Sequence, residues 1–180
     1  MSSGQDPARP GGYDAQVDTV VNGVPRADRL PANLLLVEYL RETLGLRGTH
    51  IGCDTSSCGA CTVLVNGMAV KSCTLLAVQA DGCSIETVES LRRADGSLHE
   101  LQAAFVEHAG LQCGFCTPGM LMAGVSLLRE MEEPTESRVR HGIEGNLCRC
   151  TGYEGIVDAI LSVAEASRSG AQVRGGGKIG

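Results

Sequence analysis

No run of apolar residues in this chain approaches the ~20 residues that a membrane span requires. The N-terminal stretch, residues 1–12, is polar with Pro and Gly. It has neither the hydrophobic segment of a secretory signal nor a twin-arginine pair. No Lys/Arg cluster stands out, and 15 basic against 21 acidic residues leave a net charge of −6. That balance argues against nucleic-acid binding as the main activity. Aromatics are scarce, with no Trp, three Tyr and two Phe, yet a hydrophobic content of 43% implies a packed core. There is no G-x-G-x-x-G, because Gly175-Gly176-Gly177 is only part of a Gly-rich tail. No nucleophile, general base or substrate pocket is identifiable, so no residue is expected to be catalytic. His50, His99, His108 and His141 receive no role.

What the chain does have is nine cysteines, eight of them in two compact sets. The first is Cys53-x4-Cys58-x2-Cys61, with eleven residues between Cys61 and Cys73. That is the spacing of plant-type 2Fe–2S ferredoxins. The second is Cys113-x2-Cys116, then 31 residues, then Cys148-x-Cys150. Four thiolates per set is the ligand count of a 2Fe–2S cluster. Nine cysteines without an export signal point to a reducing, cytoplasmic setting, where thiols bind metal rather than pair as disulfides. Four cysteines also make a structural zinc site, and that alternative stays open for each set. The Cys-x-Cys half of the second set departs from the usual zinc spacing. Cys83 fits neither set and reads as a small buried residue.

Organisation follows from periodicity. Val17, Thr19 and Val21 alternate with polar neighbours, as a strand does. Asn22-Gly23 predicts a tight turn, and Val24 to Asp28 the returning strand. Asn33 is placed to cap a helix carrying Leu36, Val37, Leu40 and Leu44, closed by Gly45. Residues 48–61 form a Gly/Ser/Cys loop. Thr62–Val65, Asn66-Gly67 and Met68–Lys71 read as a second hairpin, and Ile85–Val88 as a last strand. These elements make an α+β unit. Beyond residue 95 the period becomes helical. Ser97 and Glu100 form a predicted capping box, followed by Leu98, Leu101, Phe105 and His108. Thr117-Pro118 starts a second helix with Leu121, Val125 and Leu128. Pro134-Thr135 starts a third. Thr151 is placed to cap a fourth, with Ile156, Ile160, Val163 and Ala164. The expected domains are a flexible tail 1–14, an α+β domain 15–93, a four-helix bundle 95–168 and a disordered tail 169–180.

The placement of the cysteines has a physical logic. The first loop must turn tightly to aim three thiolates at one point, and Gly52 and Gly59 permit it. Cys73 is returned toward the loop by the hairpin. In the second set, 31 residues run out along one helix and back along another, bringing Cys148 and Cys150 to Cys113 and Cys116. Both pairs precede expected helix starts at Pro118 and Gly152, where low thiol pKa values and anionic ligands are favoured.

Three segments carry a family resemblance. Gly52-Cys53-Asp54-Thr55-Ser56-Ser57-Cys58-Gly59-Ala60-Cys61-Thr62-Val63 resembles the first cluster loop of the xanthine oxidase family. Gln112-Cys113-Gly114-Phe115-Cys116-Thr117-Pro118-Gly119 and Gly145-Asn146-Leu147-Cys148-Arg149-Cys150-Thr151-Gly152-Tyr153 resemble its second cluster motif. The resemblance spans about residues 15–165. It implies a plant-type ferredoxin-like (β-grasp) domain followed by a four-helix bundle, each holding a 2Fe–2S cluster. It also implies a separate small subunit, with a large molybdenum-pterin subunit and a medium FAD subunit as partners in a dimer of heterotrimers. The Gln112 amide is expected to hydrogen-bond the pterin, and Cys150 to lie against it. Within the family, Thr49 to Ser56, Gly67 to Thr74 and Ala77 to Ala80 resemble the small subunit of aerobic, molybdenum-containing carbon monoxide dehydrogenase. Subunits for N-heterocycles share much of this pattern. The expected role is electron transfer from molybdenum through two 2Fe–2S clusters to FAD, in carbon monoxide oxidation, with a hydroxylase of an N-heterocycle or aldehyde as the alternative. A free-standing ferredoxin and a zinc-stabilised interaction module are the alternatives from other classes.

Overall fold

Alternation builds the first strand. In the computed structural model, which describes residues 13–131 and 133–169, β1 runs Asp14–Val21. Val17, Thr19 and Val21 face inward and are at most 4% exposed. Asn22 and Gly23 both adopt positive φ (51° and 77°), the two-residue turn whose twist matches paired strands. The chain returns as β2, Val24–Pro31, three residues longer than expected at its end. Asn66 and Gly67 repeat the turn between β3, Thr62–Val65, and β4, Met68–Lys71, whose bounds are those expected. β5 spans Ser84–Glu86 and stops before the expected Val88. It ends early because Thr87 turns to Asn22, bonding it through both backbone N–H and hydroxyl (2.8 and 2.9 Å). The sheet order is β2-β1-β5-β3-β4, with β1 and β5 parallel and the other pairs antiparallel.

The first helix differs from expectation. α1 has only three residues, Leu36–Glu38, and continues as a π-helical turn, Tyr39–Thr43. Asn33 does not cap it. Leu35 is held extended in a bridge to Leu76, flanked by backbone bonds from Leu36 N to Leu75 O (2.7 Å) and Ala77 N to Leu34 O (2.8 Å), so helix cannot begin earlier. Gly45 does close the turn with φ +72°. The wide turn lets Tyr39 and Leu40 both reach the sheet core while Arg41 points back along the chain. The Tyr39 hydroxyl donates to Asp28 at 2.7 Å; burial, then that carboxylate, pushes its pKa up to about 12.

The helical half contains α2 (Glu100–Glu107), α3 (Thr117–Glu130), α4 (Glu136–Gly142) and α5 (Tyr153–Arg168). With α1 the described residues hold five α-helices, so the chain is a mixed sheet plus helices, not a set of four alike. The capping box of α2 is shifted by two residues. His99 is the cap, its Nδ1 accepting from Leu101 N (3.1 Å) while Gln102 accepts from His99 N (3.0 Å). Ser97 is instead bound to Asp95, and Glu100 pairs with Arg93. Leu98 therefore lies outside the helix and is exposed. Thr151 adopts φ +60° one residue before the true cap, Gly152. The stripe Ile156, Ile160, Val163 and Ala164 is buried as expected. Of the expected tails, residues 1–12 and 170–180 lie outside the described residues, and Asp14 already belongs to β1.

β3 joins the halves. Val63 and Val65 pack with Leu36, Tyr39 and Leu40 on one face. Leu64 points the other way, into the core of Leu101, Phe105, Met120 and Ile160. α3 thus covers the second face of the sheet, and Ser126 Oγ accepts from Ala69 N (3.2 Å) on the edge strand β4. Arg129 grips Glu86 of β5 with two bonds of 2.7 and 2.9 Å.

Candidate metal centres

The eight cysteines of the two sets are free thiols that influence one another's titration in twos. Cys53 is paired with Cys58, and Cys61 with Cys73. Cys113 is paired with Cys150, and Cys116 with Cys148. Cys53 and Cys73 act on each other electrostatically, as do Cys113 and Cys116, and Cys148 and Cys150. All of these influences stay within one set of four. Among the described residues no three His, Cys, Asp or Glu side chains close on a point that one metal ion could occupy. Cys83 stays apart, half-buried against the sheet core with its thiol 3.7 Å from the Asp81 carbonyl.

Each group has one thiol near water and one driven inward. The Cys53 thiol is lowered to about 6, first by the Cys58 backbone N–H (3.4 Å), then by that of Thr55. Its partner group contains Cys73, pushed up to about 11 by burial and by the neighbouring Cys61. Cys61 and Cys73 sit under Val37 and Leu35, in a small apolar cluster of their own. In the second group the Phe115 backbone N–H lowers Cys113, while burial and then Cys148 push Cys116 up to about 12. Cys116 stands at the start of α3, where desolvation disfavours the thiolate. Gly152 N, at the start of α5, does reach a sulfur, Cys148 Sγ, at 3.4 Å. Gln112 is exposed, and its Nε2 donates to the Cys150 carbonyl at 3.1 Å.

The two groups are joined by the backbone. Leu147 N donates to Cys58 O at 2.8 Å, so a residue adjacent to Cys148 bonds directly to a cysteine of the other set. Asn146, 6% exposed, donates to Gly59 O (2.9 Å) and Thr62 Oγ1 (3.1 Å). A Cβ on Gly119 of α3 would run into the Gly59 carbonyl, and one on Gly59 would run into Gly145 O and Asn146. Only glycines let these backbones approach so closely. Sequence reasoning missed two participants. His50 Nδ1 contacts Phe115 O at 2.8 Å across the sets, and His99 caps α2. Neither carries a local motif signal, since each acts through a distant or backbone partner.

Comparison with known proteins follows the same division. Residues 20–91 match the family described as 2Fe-2S iron-sulfur cluster binding domain, and residues 87–161 the family described as [2Fe-2S] binding domain. The nicotine 6-hydroxylase small subunit of Paenarthrobacter nicotinovorans is 49% identical over 146 residues, 81% of this chain and 87% of that protein. Caffeine dehydrogenase subunit gamma of Pseudomonas sp. (strain CBB1) is 46% identical over 151 residues, covering 82% and 90%. Among solved structures, quinoline 2-oxidoreductase from Pseudomonas putida 86 superposes with a TM-score of 0.81 at 49% identity, covering 87% of this chain and 98% of that one.

Proposed function

Because this chain belongs to the family of small 2Fe–2S subunits of xanthine oxidase family hydroxylases, we propose that it is the electron-transfer subunit linking a molybdenum-pterin centre on a large partner with FAD on a medium partner. The observation that carries this is the match of residues 20–91 and 87–161 to two 2Fe-2S binding families, each range containing one set of four cysteines. Cys53, Cys58, Cys61 and Cys73 would hold one 2Fe–2S cluster, and Cys113, Cys116, Cys148 and Cys150 the other. When bound, each cluster supplies reversible one-electron redox chemistry.

The chain's own residues supply the rest. Backbone N–H groups of Cys58 and Gly152 donate to sulfur and favour the thiolate. Val37, Leu35 and the helical core keep the inner pairs away from water. The Leu147–Cys58 bond ties one cysteine loop to the other. On the surface, the Gln112 amide and Cys150 form a unit (3.1 Å), and we assign that unit to the pterin. The domain units proposed are 15–93 and 95–168, with α2 to α5 acting as the bundle around the second group. The assembly proposed is a dimer of heterotrimers in the cytoplasm. No helix among the described residues is long and apolar enough to cross a membrane.

The substrate is oxidised on the large partner. An N-heterocycle or an aldehyde is the reading favoured, supported by identities of 49% and 46% to subunits named for nicotine and caffeine and of 40% to an aldehyde oxidoreductase iron-sulfur-binding subunit. Carbon monoxide, with water as co-substrate giving CO2, two protons and two electrons, is supported only by segments such as Thr49 to Ser56 and Gly67 to Thr74. The test is iron analysis of the purified complex with low-temperature paramagnetic resonance. About four irons per copy of this chain and two distinct signals on reduction are expected. Zinc in either group, or a single signal, would overturn the assignment. Appearance of those signals on adding nicotine-like heterocycles, and not on adding carbon monoxide, separates the two substrates.

A further inference from the structure

We propose that His50 is a positioning residue that latches the Phe115 ring over the gap between the two thiol groups and keeps water from the first of them. Phe115 lies between Cys113 and Cys116 in sequence, yet its ring does not pack into the helical core and is half-exposed. It turns instead toward the other set. A Cβ built on Gly52 would stand 3.1 Å from the ring and 3.0 Å from Cys58 Sγ, so the ring closes over the glycine beside that sulfur. There it walls a cleft of about 380 Å³ that also touches Cys58, Cys113, Cys116 and Cys148. Cysteines from both groups share this space, with Leu147, Arg149 and Tyr153 on its other walls.

Two contacts from one side chain hold the ring. The imidazole of His50 stacks on it, with centroids 5.0 Å apart and planes 28° from parallel. Its Nδ1 lies 2.8 Å from the Phe115 carbonyl. A carbonyl only accepts, so Nδ1 carries the hydrogen, and the ring orientation of His50 is determined by that bond. The residue before it is anchored in turn. Thr49 is 2% exposed, and its carbonyl accepts from the Arg41 guanidinium at 2.6 Å. Arg41 is aimed there by the π-helical turn Tyr39–Thr43. A chain of contacts thus runs from the sheet core through Arg41, Thr49 and His50 to Phe115. It fastens a residue of the second motif onto the first loop.

This role presupposes a cluster in each group. It is tested in the full complex, with iron release to a water-soluble chelator followed by absorbance and the two resonance signals reporting which cluster is lost. His50→Ala should speed iron loss from the first cluster by about tenfold, the change one lost hydrogen bond makes in an opening equilibrium. Phe115→Leu removes the stacked ring but keeps the carbonyl that His50 bonds, and should do the same. His50→Asn places an amide N–H where Nδ1 stood and should restore most of the protection, a rescue that a merely space-filling role would not give. Unchanged release in both His50→Ala and Phe115→Leu, from complexes showing both signals, overturns the latch alone. A parent complex lacking the two signals overturns it together with the cluster assignment.

Discussion

The two cysteine groups reach the same chemistry by opposite routes. The first is local: Cys53, Cys58 and Cys61 share one loop, and the β3–β4 hairpin carries Cys73 back to it across eleven residues. The second is built from two segments 31 residues apart, brought together by the packing of the helices and by the Gln112 bond to the Cys150 carbonyl. Both routes end in one inward thiol pushed up by burial, Cys73 or Cys116, and one outward thiol lowered by backbone N–H groups, Cys53 or Cys113. What differs is what the thiols do for the fold. The local group decorates a sheet that has its own core of Val17, Val21, Leu40 and Ile85. The non-local group pins two helix starts that must otherwise be held by side chains alone.

The largest expected effect breaks this symmetry. Cys116→Ser should cost the helical half about 4 kcal/mol or more, because metal-ligand energy at a site assembled by packing is also folding energy. Cys58→Ser should leave the helices folded. The check is limited proteolysis and far-ultraviolet dichroism of both variants in the complex. Equal loss of helix in the two would mean that the halves do not differ as folding units. Leu64 of β3, buried in the helical core, makes some cross-talk certain, so the ratio between variants is the quantity to compare.

Next in size is the seam between the groups. Gly119→Ala puts a methyl group into the Gly59 carbonyl and 3.2 Å from Ala60 Cα and Asn146 Nδ2. These are mostly backbone atoms and cannot rotate away, so a cost of about 1–3 kcal/mol is expected. Although Gly119 belongs to α3, the first group should feel the change, through Gly59. Denaturant unfolding measures the cost, and the resonance signal of the first cluster measures its reach. A shift confined to the second cluster would separate the groups more sharply than the structure implies.

Legibility in the sequence followed the same local/non-local divide. The hairpins at Asn22-Gly23 and Asn66-Gly67 were readable because turn chemistry is a property of two adjacent residues. The division of the thiols into two sets was readable because spacing limits what a loop can reach. The truncation of α1 was not, since it depends on Leu35 being held extended in a bridge to Leu76. The shift of the α2 cap from Ser97 to His99 was hidden for a related reason. Asp95 captures Ser97 and Arg93 captures Glu100, leaving an imidazole to do what a hydroxyl usually does. Pairing within each group, Cys61 with Cys73 and Cys113 with Cys150, also lay beyond spacing.

That imidazole gives a smaller, pH-dependent effect and a contrast between two histidines. His99 accepts at Nδ1, so protonation destroys its cap, whereas His50 donates at Nδ1 and keeps its bond in either charge state. Burial lowers the His99 pKa; Glu100 opposes this, and Arg93 and Arg129 add to it. A His depressed in the folded state contributes its full stability above the unfolded value of about 6.5. The contribution is lost as the pH falls from there through the folded pKa. The loss should be about 1 kcal/mol, the worth of one helix cap. His99→Asn keeps an acceptor that does not titrate and should flatten the profile between about pH 7 and 5. A profile that keeps its slope would move the titration to another group.

The smallest effect tests where the grouping ends. Cys83 has a thiol but no thiol partner: it contacts the Asp81 carbonyl at 3.7 Å and packs at the edge of the sheet core. Its backbone, by contrast, is engaged, with Cys83 O accepting from Val20 N (3.0 Å) and Cys83 N donating to Ala80 O (3.1 Å). Those bonds survive replacement of the side chain. Cys83→Ala should therefore cost on the order of 1 kcal/mol or less, as a partly buried sulfur leaves little cavity behind. Iron per chain and both resonance signals should be unchanged. Loss of iron in this variant would bring a ninth thiol into one of the groups and break the division on which the two centres rest.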